Sequence, residues 1–222
     1  SREDQDKYAE MSFARALKSV QSGVFKDEIV PVEVPGKKGA VKVFDTDENP
    51  RETNYEILSK MKPAFQKEGF ATAGNSSTIA DGASAVCVMS RKKAAELGCK
   101  PLASIVAYGS DGLDMKYVLI APMKSIPKVL AKAGLELKDI DLHEINEAFA
   151  GSTVCVMREL GLTSENVNVN GGSVALGHPI GCSGSRVLTT LIYEMRRRGA
   201  KLGEASLCLG GGESVTMVVR AE

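Results

Sequence analysis

From about residue 100 to the C-terminus, short apolar runs of strand type alternate with helical stretches, a rhythm that admits few architectures. Leu102 to Ala107, Asp141 to Ile145, Val167 to Val169, Ala205 to Leu209 and Val215 to Val219 read as strands. Between them, residues 125–133, 147–160 and 185–198 carry helical periodicity. Gly161 and Gly199 follow the last two and can stop a helix in the left-handed conformation. Strands alternating with helices of this length bury a sheet between helices, so an α/β class with a layered domain over residues 101–222 is expected.

The first hundred residues follow another pattern. Tyr8, Met11, Ala14, Leu17 and Val20 recur every three residues, which predicts a helix over residues 3–22 ahead of Gly23. Residues 28–34 and 40–44 alternate around Pro35-Gly36-Lys37-Lys38-Gly39 and predict a small hairpin. A polar loop (45–52), a short helix (54–61) and a second loop rich in Gly, Ser, Thr and Ala (69–82) come next. Ala85 to Met89 then reads as a strand, and Arg91 to Leu97 as a helix closed by Gly98.

Composition excludes several function classes. Lys+Arg and Asp+Glu both number 28, leaving no global field to draw the chain to nucleic acid or an anionic membrane. No run approaches the about 18 apolar residues that a membrane-spanning helix needs. Five cysteines without a CxxC pair and only two histidines argue against a disulfide framework and a metal centre. Unpaired thiols suit a reducing compartment, so a soluble cytoplasmic protein is expected. Cys87 and Cys155 lie in apolar runs and are assigned to the core.

Three stretches carry chemistry. In Asn170-Gly171-Gly172 through Gly177-His178-Pro179-Ile180-Gly181-Cys182-Ser183-Gly184, dense glycines mark sharp turns or close approach to a ligand. A histidine just before a long helix is disfavoured as imidazolium by the helix dipole. A neutral His178 can accept a proton or donate to an oxyanion; equally, it can satisfy a loop carbonyl. The stretch lacks the Gly-Lys-Ser/Thr of a phosphate-binding loop. Cys208 ends an apolar strand before Gly210-Gly211-Gly212, where side chains are expected to be excluded. A tuned thiol there can shuttle a proton to a carbon acid; a structural cysteine above a tight turn fits as well. In His143-Glu144-Ile145-Asn146-Glu147-Ala148-Phe149-Ala150, Asn146 stands where a helix N-cap is wanted, though its amide could also orient a water.

Taken in order, Asn146 to Ala150, Asn170 to Gly181 and Cys208 to Gly212 closely resemble the three C-terminal motifs of the thiolases. The resemblance extends upstream through Phe25 to Pro31, Lys62 to Phe65 and Thr72 to Ser77, with the biosynthetic short-chain type most similar. It implies a layered α-β-α-β-α fold. Residues 1–79 would be the remainder of a loop or cap region, 80–100 the last strand and helix of an N-terminal half, and 101–222 the C-terminal domain. It implies that His178 is the base that activates a nucleophilic cysteine and then contributes to an oxyanion hole. Cys208 would exchange the α-proton in Claisen condensation, and Asn146 would hold a water in a second oxyanion hole. The Gly210 N–H would bind the acyl oxygen, while Ser77, Ala148 and Phe149 would line the pantetheine channel. Coenzyme A thioesters would be substrates, with no cofactor or metal.

The family carries its acylated cysteine in a Cys-Ser-Ser/Ala-Gly type motif, which occurs nowhere here. An N-terminal thiolase fragment or subunit is therefore an expected partner, in a homo- or hetero-oligomer that is a dimer or tetramer. Glu213-Ser214 also departs from the uncharged Met or Gln and the Gly that usually follow the glycines. Two rivals stand beside this reading. One is a non-catalytic relative that binds acyl-CoA or lipid; the other is a ketoacyl synthase, which usually has a second histidine at the position of Cys208.

Overall fold

The computed structural model describes residues 1–222. Helix α1 (Arg2–Gln21) starts at a capping box, in which the Ser1 hydroxyl accepts from the Asp4 amide and the Asp4 carboxylate accepts from the Ser1 ammonium. The expected hairpin forms from β1 (Val32–Pro35) and β2 (Val41–Phe44), an antiparallel pair exposed on both faces. Short helices α2 (Tyr55–Ser59) and α3 (Arg91–Glu96) also form where the sequence predicts them, capped by Asn54 and Ser90.

The expected strand at 85–89 does not pair. Its backbone joins no sheet, and Val86 and Val88 are exposed. An apolar run signals strand propensity, yet a strand needs a neighbour, and none stands beside this one. Cys87 is exposed for the same reason, contrary to its assignment to the core. Cys155 is exposed too, because it lies on the outward face of its helix.

The second half builds one four-stranded sheet. Its strands β3 (Ala103–Gly112), β4 (Leu142–Ile145), β5 (Leu202–Leu209) and β6 (Glu213–Ala221) are ordered β3-β6-β5-β4. Strands β4 and β5 are parallel, and the other two pairs antiparallel. The expected strand at 167–169 shrinks to a single bridge between His143 and Val167.

Helix α4 (Pro122–Lys132) and α5 (Ala150–Leu160) cover one face of the sheet, burying Ile126, Val129, Leu130 and Val156 against Ala107, Ile145 and Val218. Helix α7 (Ser183–Arg198) covers the other face, with Leu191 and Met195 on Leu142, Ala205 and Val219. This is the helix–sheet–helix layering expected from the alternation. No helix is long and apolar enough to cross a membrane.

A separate core joins α1 to the loops above the sheet. Tyr8, Ala9, Phe13 and Ala16 pack on Leu58, Ala150 and the four-residue helix α6 (Ser173–Leu176). The contact is close enough to require glycine. Gly171 has a left-handed backbone (φ 79°), and a Cβ on it would lie 2.6 Å from the Ser12 carbonyl oxygen. Beneath it the buried Glu147 carboxylate accepts from the Tyr8 and Ser12 hydroxyls (2.8 Å each), Asn168 Nδ2 (3.0 Å) and the Val174 amide (3.1 Å). Four donors on one buried carboxylate fix α1, β4 and α6 relative to one another.

Candidate active site

The parallel pairing of β4 with β5 carries Asn146 to the end of the sheet where β5 runs on to Cys208, and the Asn146 amide donates to the Ser206 carbonyl at 2.9 Å. Asn146 is not the N-cap of α5, as its position in the sequence suggested. The helix begins four residues later, after Phe149, because residues 147–149 are held away from it. Phe149 forms a bridge with Ser76, the Ser77 amide donates to the Ala148 carbonyl (3.1 Å), and the Ala150 amide donates to the Asn75 carbonyl (2.9 Å).

The Asn146 side chain is oriented by a chain of donors. Arg186 Nη2 donates to Ser173 Oγ (3.1 Å), and arginine has no acceptor. Ser173 therefore directs its own proton to Asn146 Oδ1, 2.6 Å away. Asn146 Nδ2 is left buried and without a partner. A native orphan of this kind marks a place where another group is received. Sequence reasoning assigned Ser173 and Arg186 no functional weight; the available signal was a lone cation on the helix face that also carries Ser183, Thr190 and Glu194, all buried.

His178 lies between α6 and α7, and its amide donates to the Thr78 carbonyl (2.8 Å), which joins it to the loop bearing Ser77. Ser183 Oγ donates to the Pro179 carbonyl (3.0 Å), which uses its only proton. His178 Nδ1 lies 2.6 Å from Ser183 Oγ, and with the serine proton on the Pro179 carbonyl Nδ1 is the donor of that pair. The neutral ring so fixed leaves Nε2 with a free lone pair, the arrangement of a base. Burial, seconded by the Arg186 cation, pushes the imidazole below its usual range. The expectation of a neutral His178 agrees in direction, but desolvation causes it, since α7 starts five residues later.

Cys208 is half-buried at the end of β5, and burial pushes its thiol up. The glycines after it are less crowded than expected. A Cβ on Gly210 or Gly211 would meet nothing, whereas at Gly212 (φ 99°) it would lie 2.4 Å from the Leu113 carbonyl oxygen.

Of the residues singled out in the sequence, Ser77, Ala148 and Phe149 are thus joined by backbone pairing, and Thr78 connects them to His178. Asn146 links the strand of Cys208 to the helix that leads to His178. No hydrogen bond joins His178 to Cys208 directly. An open cleft of about 410 Å³ runs between residues 80–84 and 179–182, at the foot of the His178 loop; Cys208 does not line it.

Two family models match the chain, "Thiolase, N-terminal domain" over residues 1–92 and "Thiolase, C-terminal domain" over residues 99–221. The chain belongs to the thiolase family. Among its curated relatives, the acetyl-CoA acetyltransferase of Syntrophomonas wolfei is 52% identical over 223 residues, and that of Pseudomonas aeruginosa is 50% identical over 220. These alignments cover 100% and 99% of this thiolase chain but 56% of each relative. The crystal structure of the Bacillus anthracis acetyl-CoA acetyltransferase superposes with a TM-score of 0.95 at 46% identity, again over the whole chain and 56% of that structure. At that identity and TM-score the thiolase fold is shown, and the chain spans little more than half the length of these relatives.

Proposed function

We propose that this chain supplies the acid/base and oxyanion-binding half of an enzyme that condenses two acetyl-CoA molecules to acetoacetyl-CoA and coenzyme A, or runs that reaction in reverse. The nucleophilic cysteine comes from a thiolase N-terminal segment outside these 222 residues, on the same polypeptide or on a separate one. One observation carries the reading: Asn146 is bonded to the strand of Cys208 and to the helix before His178, and its buried amide nitrogen has no partner.

In the first step His178 Nε2 takes the proton of the nucleophilic thiol, which attacks the thioester carbon and expels coenzyme A as its thiol. In the second step the Cys208 thiolate removes a proton from the methyl carbon of another acetyl-CoA. The resulting carbanion attacks the acyl-enzyme carbonyl, forming the carbon–carbon bond and releasing the nucleophile as a thiolate. The developing oxyanions need preorganised donors. His178, once protonated, the Asn146 amide through a water, and the Gly210 N–H fill these roles. Ser77, Ala148 and Phe149 flank the pantetheine arm, and no metal or cofactor takes part.

Residues 80–100 complete the sheet of the N-terminal half, which gives the unpaired 85–89 run its missing neighbour; residues 1–79 form part of the covering loop region. The assembly is an oligomer in a reducing, cytoplasmic setting. Cys208→Ala in the assembled enzyme is expected to abolish acetoacetyl-CoA formation while acetyl transfer from labelled acetyl-CoA to the nucleophile persists. Unchanged condensation would refute the assignment.

A further inference from the structure

Strands β5 and β6 pair antiparallel, with Cys208 directly across from Ser214 and Ser206 directly across from Thr216. Directly opposed residues project from the same face. The second pair demonstrates it, because the Ser206 and Thr216 hydroxyls lie 2.6 Å apart. Deeper on this face Ser206 bonds Glu204, Glu204 bonds His143 Nδ1 (3.0 Å), and Thr216 bonds Ser125 of α4 (2.7 Å), with His143 Nε2 left unpaired. Ser214 is left out. It is fully buried, and its Oγ has no partner. A buried hydroxyl without a partner forfeits its hydration.

We propose that Ser214 is a positioning residue that donates its hydroxyl proton to the Cys208 thiolate. In the resting thiol form the two side chains make no hydrogen bond, S–H and S being poor partners. When Cys208 carries the negative charge, the same hydroxyl makes a charge-assisted bond, and the orphan is satisfied at the moment the thiolate acts as base. The proposal rests on the reading of Cys208 as the proton-transfer group.

The other titratable groups around Cys208 are accounted for. Glu204 lies two pleats back on the same face and is held by His143 of β4. Glu213, the neighbour of Ser214 on β6, is exposed, as are Asp114 and Lys116 on the turn that docks on Gly212 through Leu113. From α4 the Ser125 hydroxyl is bonded to Thr216, and Lys128 pairs at 3.2 Å with Asp111 of β3, the carboxylate directly across from Ser214 on its other side. Burial pushes the thiol up, and a donated hydrogen bond opposes that rise.

The test is site-resolved alkylation of the intact protein by iodoacetamide across a pH series, read by peptide mass spectrometry. Cys99 and Cys155, both exposed and outside the 85–89 run, serve as internal references. Ser214→Ala and Ser214→Gly are expected to move the half-maximal pH of Cys208 alkylation upward and to slow it about 10-fold below that midpoint, with both references unchanged. Ser214→Thr, which keeps the hydroxyl, is expected to retain the wild-type midpoint. A Cys208 midpoint unmoved in both Ser214→Ala and Ser214→Gly, or moved equally in Ser214→Thr, would overturn the proposal. Because the assay reads a thiol without turnover, such a result leaves the acyl-transfer reading intact. Failure of that reading, seen as undiminished condensation in Cys208→Ala, leaves the midpoint measurable.

Discussion

Ser183 decides which nitrogen of His178 is available. With the single Ser183 proton on the Pro179 carbonyl, the imidazole donates from Nδ1 and keeps its lone pair on Nε2. Ser183→Ala removes that constraint and lets the ring populate the other tautomer, in which Nε2 is blocked by its own proton. Steady-state kinetics of the assembled enzyme are expected to show kcat reduced about 10-fold with KM little changed. A lowered kcat/KM arising from KM alone would assign Ser183 to binding. The same reasoning covers Asn146, whose amide orientation follows from the obligatory donor Arg186 acting through Ser173.

At the scale of elements, Glu147 holds together what the sheet does not. The core under α1 meets the sheet core through α5 and the 164–172 segment, and the carboxylate of Glu147 accepts from residues of α1, α6 and the 168 turn. Glu147→Ala strands four buried donors and is expected to cost about 3 kcal/mol, read as a lower urea midpoint. Much of this architecture was legible in the sequence, because helix signals are local. The spacing of Tyr8, Met11 and Ala14, and the glycines at 161 and 199, mark α1, α5 and α7 without knowledge of their neighbours. What depends on distant partners was not. The 85–89 run has strand chemistry but no strand to pair with, and Asn146 looked like a helix cap because only the pairing of Ser76 with Phe149 delays α5. Within the site, His178, Cys208 and Asn146 stood out by their glycine-rich or capping contexts. Ser173, Ser183 and Arg186 acquire meaning only through contacts between segments. The four-residue α6, buried among glycines, carries no periodicity to detect.

For the molecule as a whole, two carboxylates shape the response to pH: the buried Glu144 of β4 and the half-buried Glu28, which accepts from Thr190 of α7. Burial pushes Glu144 up to about 8 and Glu28 up to about 7, and the Arg186 cation opposes both. In the unfolded chain these groups ionise near 4.5, so above that pH the folded state binds more protons than the unfolded one. Their contribution to stability is therefore full below about 4.5 and is lost as pH rises through 7 to 8. Glu144→Gln is expected to flatten this slope and to raise the melting temperature at pH 8 more than at pH 5, as calorimetry at the two pH values would show. An equal change at both would contradict the sign.

On the function proposed above, the N-terminal half covers the unpaired 85–89 segment. Val88→Asp, at a site 71% exposed in this chain, is expected to leave its fold intact and weaken association with the N-terminal half by at least about 10-fold, measured by titration calorimetry. Wild-type affinity in that variant would place the partner elsewhere.

The most direct test of the site is a crystal structure of the assembled enzyme with a non-hydrolysable acetyl-CoA analogue bound. The acetyl oxygen is expected within hydrogen-bonding distance of a water held by Asn146 Nδ2, with His178 Nε2 lining the same pocket and the methyl carbon facing Cys208 Sγ. An analogue seated with Cys208 and His178 on opposite sides of the domain, and only one of them at the acetyl group, would contradict the account.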